Sequence, residues 1–99
     1  MTTWNKSEAI FLFADEKEME SIECQVKIDQ NGILVSYKQH EELLSVIWKG
    51  KQDGTGHFNL KKMDGSGEAT LHQFKGSKFL EGFWVDSGNE GMWRIVLSK

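Results

Sequence analysis

Glycine, and not proline, interrupts this chain, and that pattern limits the folds open to it. The 99 residues contain ten glycines and no proline. The glycines cluster in short polar gaps, and the runs between them are rich in apolar, β-branched and aromatic side chains. Apolar residues in these runs recur with a period nearer two than 3.6, which is typical of strands. The sequence therefore predicts an all-β fold.

The runs predict eight strands, at residues 8–14, 22–28, 33–38, 43–49, 56–62, 68–74, 79–85 and 91–97. The gaps between them hold Asp, Asn, Ser and Gly, which tolerate the positive φ angles of tight turns. Because the gaps are short, neighbouring strands must run antiparallel. We expect one domain over residues 1–99, an up-and-down meander of about eight strands that forms a closed or nearly closed barrel.

Two segments allow a second interpretation. Residues 7–20 could begin as a helix with Ser7 as its cap, and residues 38–44 could form one helical turn. We retain a strand over residues 10–13, so that the acidic stretch 15–20 becomes a solvated loop.

The turn chemistry also predicts which residues face each other. Hairpin loops at residues 64–65, 76–77 and 87–88 fix the register of the last four strands. The result is a polar row across these strands, formed by His57, His72, Glu81 and Arg94. A neighbouring apolar row on the opposite face contains Phe58, Leu71, Gly82 and Trp93. The same register places Phe74 opposite Phe79. It also places Gly82 opposite Trp93, where the missing side chain of the glycine leaves room for the indole.

Charge and hydropathy exclude several classes of partner. The net charge is −3 and the pI is about 5.6, which disfavours nucleic acid, including an OB-type nucleic-acid barrel, and anionic lipid surfaces. The longest apolar run, residues 9–14, is far shorter than the roughly 20 residues that span a bilayer. We expect no secretory leader, because the first residues lack a charged segment followed by an apolar stretch, and Cys24 is the single cysteine. We therefore expect a cytoplasmic protein with Cys24 as a core residue.

The last predicted hairpin contains two Gly-x-Trp motifs, Gly82-Phe83-Trp84 and Gly91-Met92-Trp93, the second followed by Arg94. This pattern, within residues 80–95, resembles strands of the calycin superfamily, which comprises the lipocalin, avidin and fatty-acid-binding-protein barrels, and of uncharacterised small bacterial barrels. Lipocalins differ because their Gly-x-Trp lies on the first strand. The resemblance implies an eight-stranded barrel with a site in its mouth, and it does not identify a ligand.

The polar row is the strongest candidate for chemistry. His57, His72 and Glu81 supply three ligands of kinds that zinc accepts, two imidazoles and a carboxylate, but Arg94 beside Glu81 would neutralise the carboxylate and repel a cation. We expect no metal site, and a hydrogen-bonded row in which Glu81 holds His72 and pairs with Arg94. Glu81 could instead orient His72 as a general base. The sequence offers no nucleophile motif and no cofactor motif, so we assign no catalytic residue and no cofactor.

These observations favour a binding module over an enzyme. We expect a small, partly apolar molecule at the open end of the barrel, with the polar row as its contacts and Trp48 and Phe83 as walls. The alternative is a homodimeric or otherwise oligomeric protein-interaction module that has no small ligand. In that case the mixed face would form the interface, through Phe74, Phe79, Phe83 and Met92.

Overall fold

The computed structural model describes residues 2–14, 19–38 and 45–99. Its eight strands are β1 (Thr2–Phe13), β2 (Met19–Asp29), β3 (Gly32–Lys38), β4 (Ser45–Gln52), β5 (His57–Lys62), β6 (Gly67–His72), β7 (Phe79–Asp86) and β8 (Asn89–Val96). Each strand pairs antiparallel with the next, and β1 also pairs with β8. The sheet is therefore a closed barrel, and the predicted eight-stranded meander is confirmed. Among the described residues, no helix has the length and apolar character needed to cross a membrane.

The first strand starts earlier than predicted because it contains a bulge. The pairing of β1 with β2 shifts between Trp4 and Ser7. Ser7 is buried, and its Oγ accepts the backbone N–H of Ser98 at 3.1 Å and donates to the Trp4 carbonyl at 3.3 Å. Ser7 thus lies in the seam between β1 and the C-terminal segment, and its alternative role as a helix cap is wrong. Polar Asn5 and Lys6 at the bulge hide the strand pattern in the sequence.

The second alternative, a helical turn over residues 38–44, falls outside the described residues apart from Lys38. That residue is the last of β3.

The predicted register of the last four strands is confirmed. His57 pairs with His72, His72 with Glu81, and Glu81 with Arg94. The pairing of Phe74 with Phe79 is wrong, because β6 ends at His72 and residues 73–78 form a wider loop. In that loop Ser77 donates its backbone N–H to the Phe74 carbonyl, and the Phe74 side chain is 89% exposed.

The centre of the barrel is filled by aromatic rings. Phe11 stacks on Trp93 with 5.5 Å between ring centroids, and Trp48 lies at the same distance from Trp93 on another side. The Trp93 indole N–H donates to the Thr70 carbonyl at 3.0 Å. Because Thr70 lies on β6 and Trp93 on β8, the indole crosses the intervening strand at Gly82, as the sequence predicts.

Gly82 is one of the most constrained glycines to substitute, because the backbone of β6 passes close to it. A Cβ at Gly82 would lie 1.8 Å from the Thr70 carbonyl oxygen, so Gly82→Ala must displace a strand. We expect a loss of about 3 kcal/mol or more in the free energy of unfolding, measured by urea denaturation. Gly65→Ala is the control, because that position is open and only its positive φ opposes a side chain, at about 1–2 kcal/mol. Equal losses for the two variants would contradict this account of the core.

Candidate functional site

The barrel has two rims, and the site lies at one of them. The rim that we call the mouth is formed by the end of β1, the start of β2 and the turns at residues 63–66 and 87–88. The opposite rim holds the turns at residues 30–31 and 53–56 and the loop at 73–78. Inward-facing side chains fill the barrel between the two rims.

A cavity of about 190 Å³ opens at the mouth. It is lined by Phe11, Phe13, Glu20, Ile22, Tyr37, Trp48, Trp84, Asp86, Ser87 and Asn89. Aromatic rings form its deep walls, whereas the polar groups come from the strand ends and the turn at the rim. Cavities of about 150 Å³ hold molecules the size of benzene, so this space suits a small organic molecule.

The rings around the cavity meet at steep angles. Trp84 is nearly perpendicular to both Phe11 and Phe13, with interplanar angles of 82° and 81°. Tyr37 meets Phe11 at 64°. The indole N–H of Trp48 donates to Tyr37 Oη at 3.1 Å, and that of Trp84 donates to the Met92 carbonyl at 3.1 Å. These bonds hold the walls in place and satisfy both indole donors within the protein.

An ion pair stands beside the aromatic walls inside the mouth. Lys62 Nζ lies 2.6 Å from Asp86 Oδ2, and the two side chains are only 13% and 20% exposed. Lys62 pairs across the sheet with Trp48, and Asp86 pairs with Gly67. Since Gly67 stands between the two charged residues and has no side chain, Lys62 can reach across it to Asp86.

The ion pair and its neighbours determine the charge state of Asp86. Burial by itself raises the pKa of Asp86. The hydrogen bond from Lys62 and those from neighbouring serine hydroxyls outweigh that effect and leave the pKa below its ordinary value. Ser87 Oγ donates to Asp86 Oδ1 at 2.9 Å. Asp86 is therefore a fixed negative charge at neutral pH.

Cys24 lies in the core and not in the cavity. It is a free thiol that is 2% exposed, and burial raises its pKa to about 12. A neutral, enclosed thiol is a weak nucleophile, so the prediction that Cys24 is a core residue is confirmed.

The structure places the predicted polar row on the outer wall of the barrel. His57 and His72 lie at the opposite rim, with their Nδ1 atoms 2.7 Å apart, a hydrogen bond in which one ring donates to the other. Glu81 Oε2 accepts from Arg94 Nη2 at 3.2 Å, and both side chains are about half exposed. The expected pairing of Glu81 with Arg94 is present. His72, however, bonds to His57 where Glu81 was expected.

This arrangement bears on the metal and general-base interpretations. Glu81 bonds to Arg94 and not to His72, so it does not orient that imidazole as a general base would require. Within residues 2–14, 19–38 and 45–99, no three His, Cys, Asp or Glu side chains are grouped to hold a metal ion.

The two predicted walls lie on opposite faces of the barrel. Trp48 points inward and lines the cavity, whereas Phe83 lies on the outer wall and is 41% exposed. Successive residues of a strand alternate between faces, so Phe83 shares the outer face of β7 with Glu81, and Trp84 takes the inner one. Of the six predicted residues, Trp48 alone lines the mouth cavity.

Sequence reasoning missed Lys62 and Asp86, although a signal for them exists. Lys62 follows Phe58 and Leu60 at alternate positions, and Asp86 follows Trp84 in the same way. Lys62 and Asp86 therefore each occupy the next inward-facing position of their strand, and each is charged where the preceding inward-facing residues are apolar. A charged residue at an inward position near a strand end indicates the rim of the barrel, because an unpaired charge deeper in the interior would be costly.

A wider depression of about 940 Å³ lies on the outer wall of β2 to β5. Its lining includes Lys27, Lys49, Lys51 and Lys61 but no aromatic ring. This depression lies on the outside of the sheet, whereas the mouth cavity opens into the barrel between five aromatic side chains. The mouth cavity is the better candidate site.

Comparison of the chain with models of protein families, with curated proteins and with solved structures finds no match. The resemblance to calycin barrels therefore stays a prediction.

The single tyrosine of the chain reports directly on the cavity wall. Burial raises the pKa of Tyr37 to about 12, the hydrogen bond from Trp48 opposes this shift, and the Asp86 and Glu20 carboxylates add to it. Because the folded pKa exceeds the ordinary value of 10.0, stability from this group is complete below pH 10 and is lost as pH rises towards 12. Tyrosinate absorbance should therefore rise only near pH 12 or on alkaline unfolding. Ionisation near pH 10 in the folded protein would contradict this environment.

Proposed function

We propose that the protein binds one small, partly apolar molecule in the cavity at the barrel mouth. The observation that carries the proposal is the enclosure of this space by five aromatic side chains, with polar groups at its rim. Ligand sites typically combine apolar walls with a few placed polar groups. The function remains the one expected from the sequence, but its site moves from the outer polar row to the inner mouth.

The Gly-x-Trp motif connects the proposed site with the resemblance to calycin barrels. Trp84, the tryptophan of the first motif, lines the cavity, and Phe83 between Gly82 and Trp84 faces outward. The resemblance implies a site in the barrel mouth, which is where the cavity lies. Both observations support the proposal, although they rest on different features of the chain.

A neutral aromatic probe can test the site. Ile22 and Ile28 are half-buried residues of β2 that both pack on the core, but only Ile22 lines the cavity. We expect 4-fluorobenzyl alcohol to show exchange broadening of its ¹⁹F NMR signal with the native protein and with Ile28→Phe. Ile22→Phe should abolish the broadening, because the larger ring fills the cavity.

Circular dichroism of each isoleucine variant checks that the barrel remains folded. Equal loss of broadening in the two folded variants would argue against the mouth as the site. No broadening with the native protein at millimolar probe would contradict the proposed function.

A second function is favoured by a different observation on the outer wall. Phe83, Met92, Leu12 and Met19 are paired successively across β7, β8, β1 and β2, and each is exposed. They form a continuous apolar row, which is unusual for a surface that contacts only water. We propose this row as a surface for self-association.

A single charge in the row tests self-association. Phe83→Glu introduces a carboxylate into the row at its β7 end and should convert a dimer into a monomer in sedimentation velocity experiments. Phe74→Glu is the matched control, because Phe74 lies in the loop at the opposite rim and not in the row. If the native protein and Phe83→Glu sediment alike as monomers, the interface is contradicted.

A further inference from the structure

We infer that the molecule held in the mouth is an organic cation whose alkylammonium group lies among the aromatic rings. The inference rests on the proposed function and adds the charge of the ligand to it. It depends on three features of the cavity: the sign of its formal charges, the surface that its rings offer, and the state of the neighbouring lysine.

Among the described residues, the charged side chains that line the cavity are two carboxylates. Glu20 lies directly opposite Phe11 in the β1–β2 ladder, and Asp86 lies at the end of β7. Lys62 does not line the cavity, and it is already bonded to Asp86. The sum over Glu20, Asp86 and Lys62 is one negative charge, so these three residues together favour a cation.

The rings add to this preference because the face of an aromatic ring is electronegative and its edge electropositive. The most positive edges, the indole N–H groups of Trp48 and Trp84, are bonded to Tyr37 Oη and the Met92 carbonyl. The ring faces, which are electronegative, are not engaged by these bonds. Rings that meet at 81–82°, as Phe11 and Phe13 meet Trp84, can contact one ammonium group from several sides.

The main argument for an anionic ligand would be Lys62, but its position opposes that role. Lys62 Nζ is 2.6 Å from Asp86 Oδ2 and 6.0 Å from the centroid of the Trp48 ring. The Lys62 ammonium group therefore already has a counterion, Asp86, and an aromatic ring beside it. An anion would have to compete with Asp86 for Lys62 while facing Glu20. The carboxylates of Asp86 and Glu20 also raise the pKa of Tyr37, which is consistent with a negative potential at this wall.

Three probes of similar shape separate charge from size. Choline is the cation, 3,3-dimethyl-1-butanol is its neutral carbon isostere, and 3,3-dimethylbutanoate is the anion. Each is titrated into the full chain, and binding is followed by tryptophan fluorescence. We expect choline to bind about tenfold more tightly than the neutral alcohol, since a desolvated cation–π contact is worth about one order of magnitude in affinity. The butanoate should bind more weakly than either.

Two substitutions assign this preference to the cavity. Glu20→Gln removes a lining charge and should reduce choline affinity several-fold while leaving affinity for the alcohol unchanged. Phe13→Leu keeps an apolar side chain but removes a ring, and it should reduce the preference for choline over the alcohol. Glu23→Gln is the matched control on the outward face of the same strand, and it should change neither affinity.

The outcomes distinguish this inference from the proposed function. If the alcohol and choline bind equally, or if the butanoate binds best, the inference of a cationic ligand is contradicted. The proposed binding site is not contradicted by that result. If choline binds but Glu20→Gln and Phe13→Leu leave its affinity unchanged, the cation is bound elsewhere and the inference fails. If none of the three probes binds and 4-fluorobenzyl alcohol also fails, both the inference and the proposed function are contradicted.

Discussion

The interior of an eight-stranded barrel is only just wide enough for the side chains that point into it, and the structure depends on how that space is shared. Here the bulkiest residues occupy the centre, where Phe11, Trp48 and Trp93 are in contact. Such large rings fit only because small residues stand beside them. Gly82 pairs with Trp93, whose indole reaches past it to Thr70. A Cβ at Gly67 would lie 2.8 Å from the Trp48 ring. Paired large and small positions thus close the barrel without overfilling it.

The same inward alternation explains why the mouth stays open. Beyond the aromatic centre, the next inward positions on β5 and β7 hold Lys62 and Asp86 in place of further apolar residues. Desolvation opposes full burial of this pair, so it stays at the rim, where both groups retain some exposure. The aromatic side chains below the rim therefore keep one accessible side. The inward-facing apolar residues of β5 and β7 end one position before the rim, where Lys62 and Asp86 follow. The cavity therefore has an apolar floor and charged edges.

Local patterns predicted the fold better than they predicted the site. Turn residues and alternation determine strands and register, and these are short-range properties, so the row from His57 to Arg94 was predictable. Which face of a strand becomes the inside of the barrel depends on how the whole sheet closes, and local patterns do not determine it. The sequence allows the mixed face either to line a site or to contact a partner, and in the structure this face is the outer wall of the barrel. The bulge at Ser7 was also hidden, because its partner Ser98 is 91 residues away along the chain.

The central claim is that the ligand site is the inner mouth and not the outer polar row. The four tryptophan indole N–H signals in a ¹H–¹⁵N NMR spectrum test this directly, because Trp48 and Trp84 line the cavity and Trp4 lies near the opposite rim. With 4-fluorobenzyl alcohol as the ligand, the account predicts shifts of the Trp48 and Trp84 signals while Trp4 stays unchanged. Shifts confined to Trp4, or to the imidazoles of His57 and His72, would contradict it.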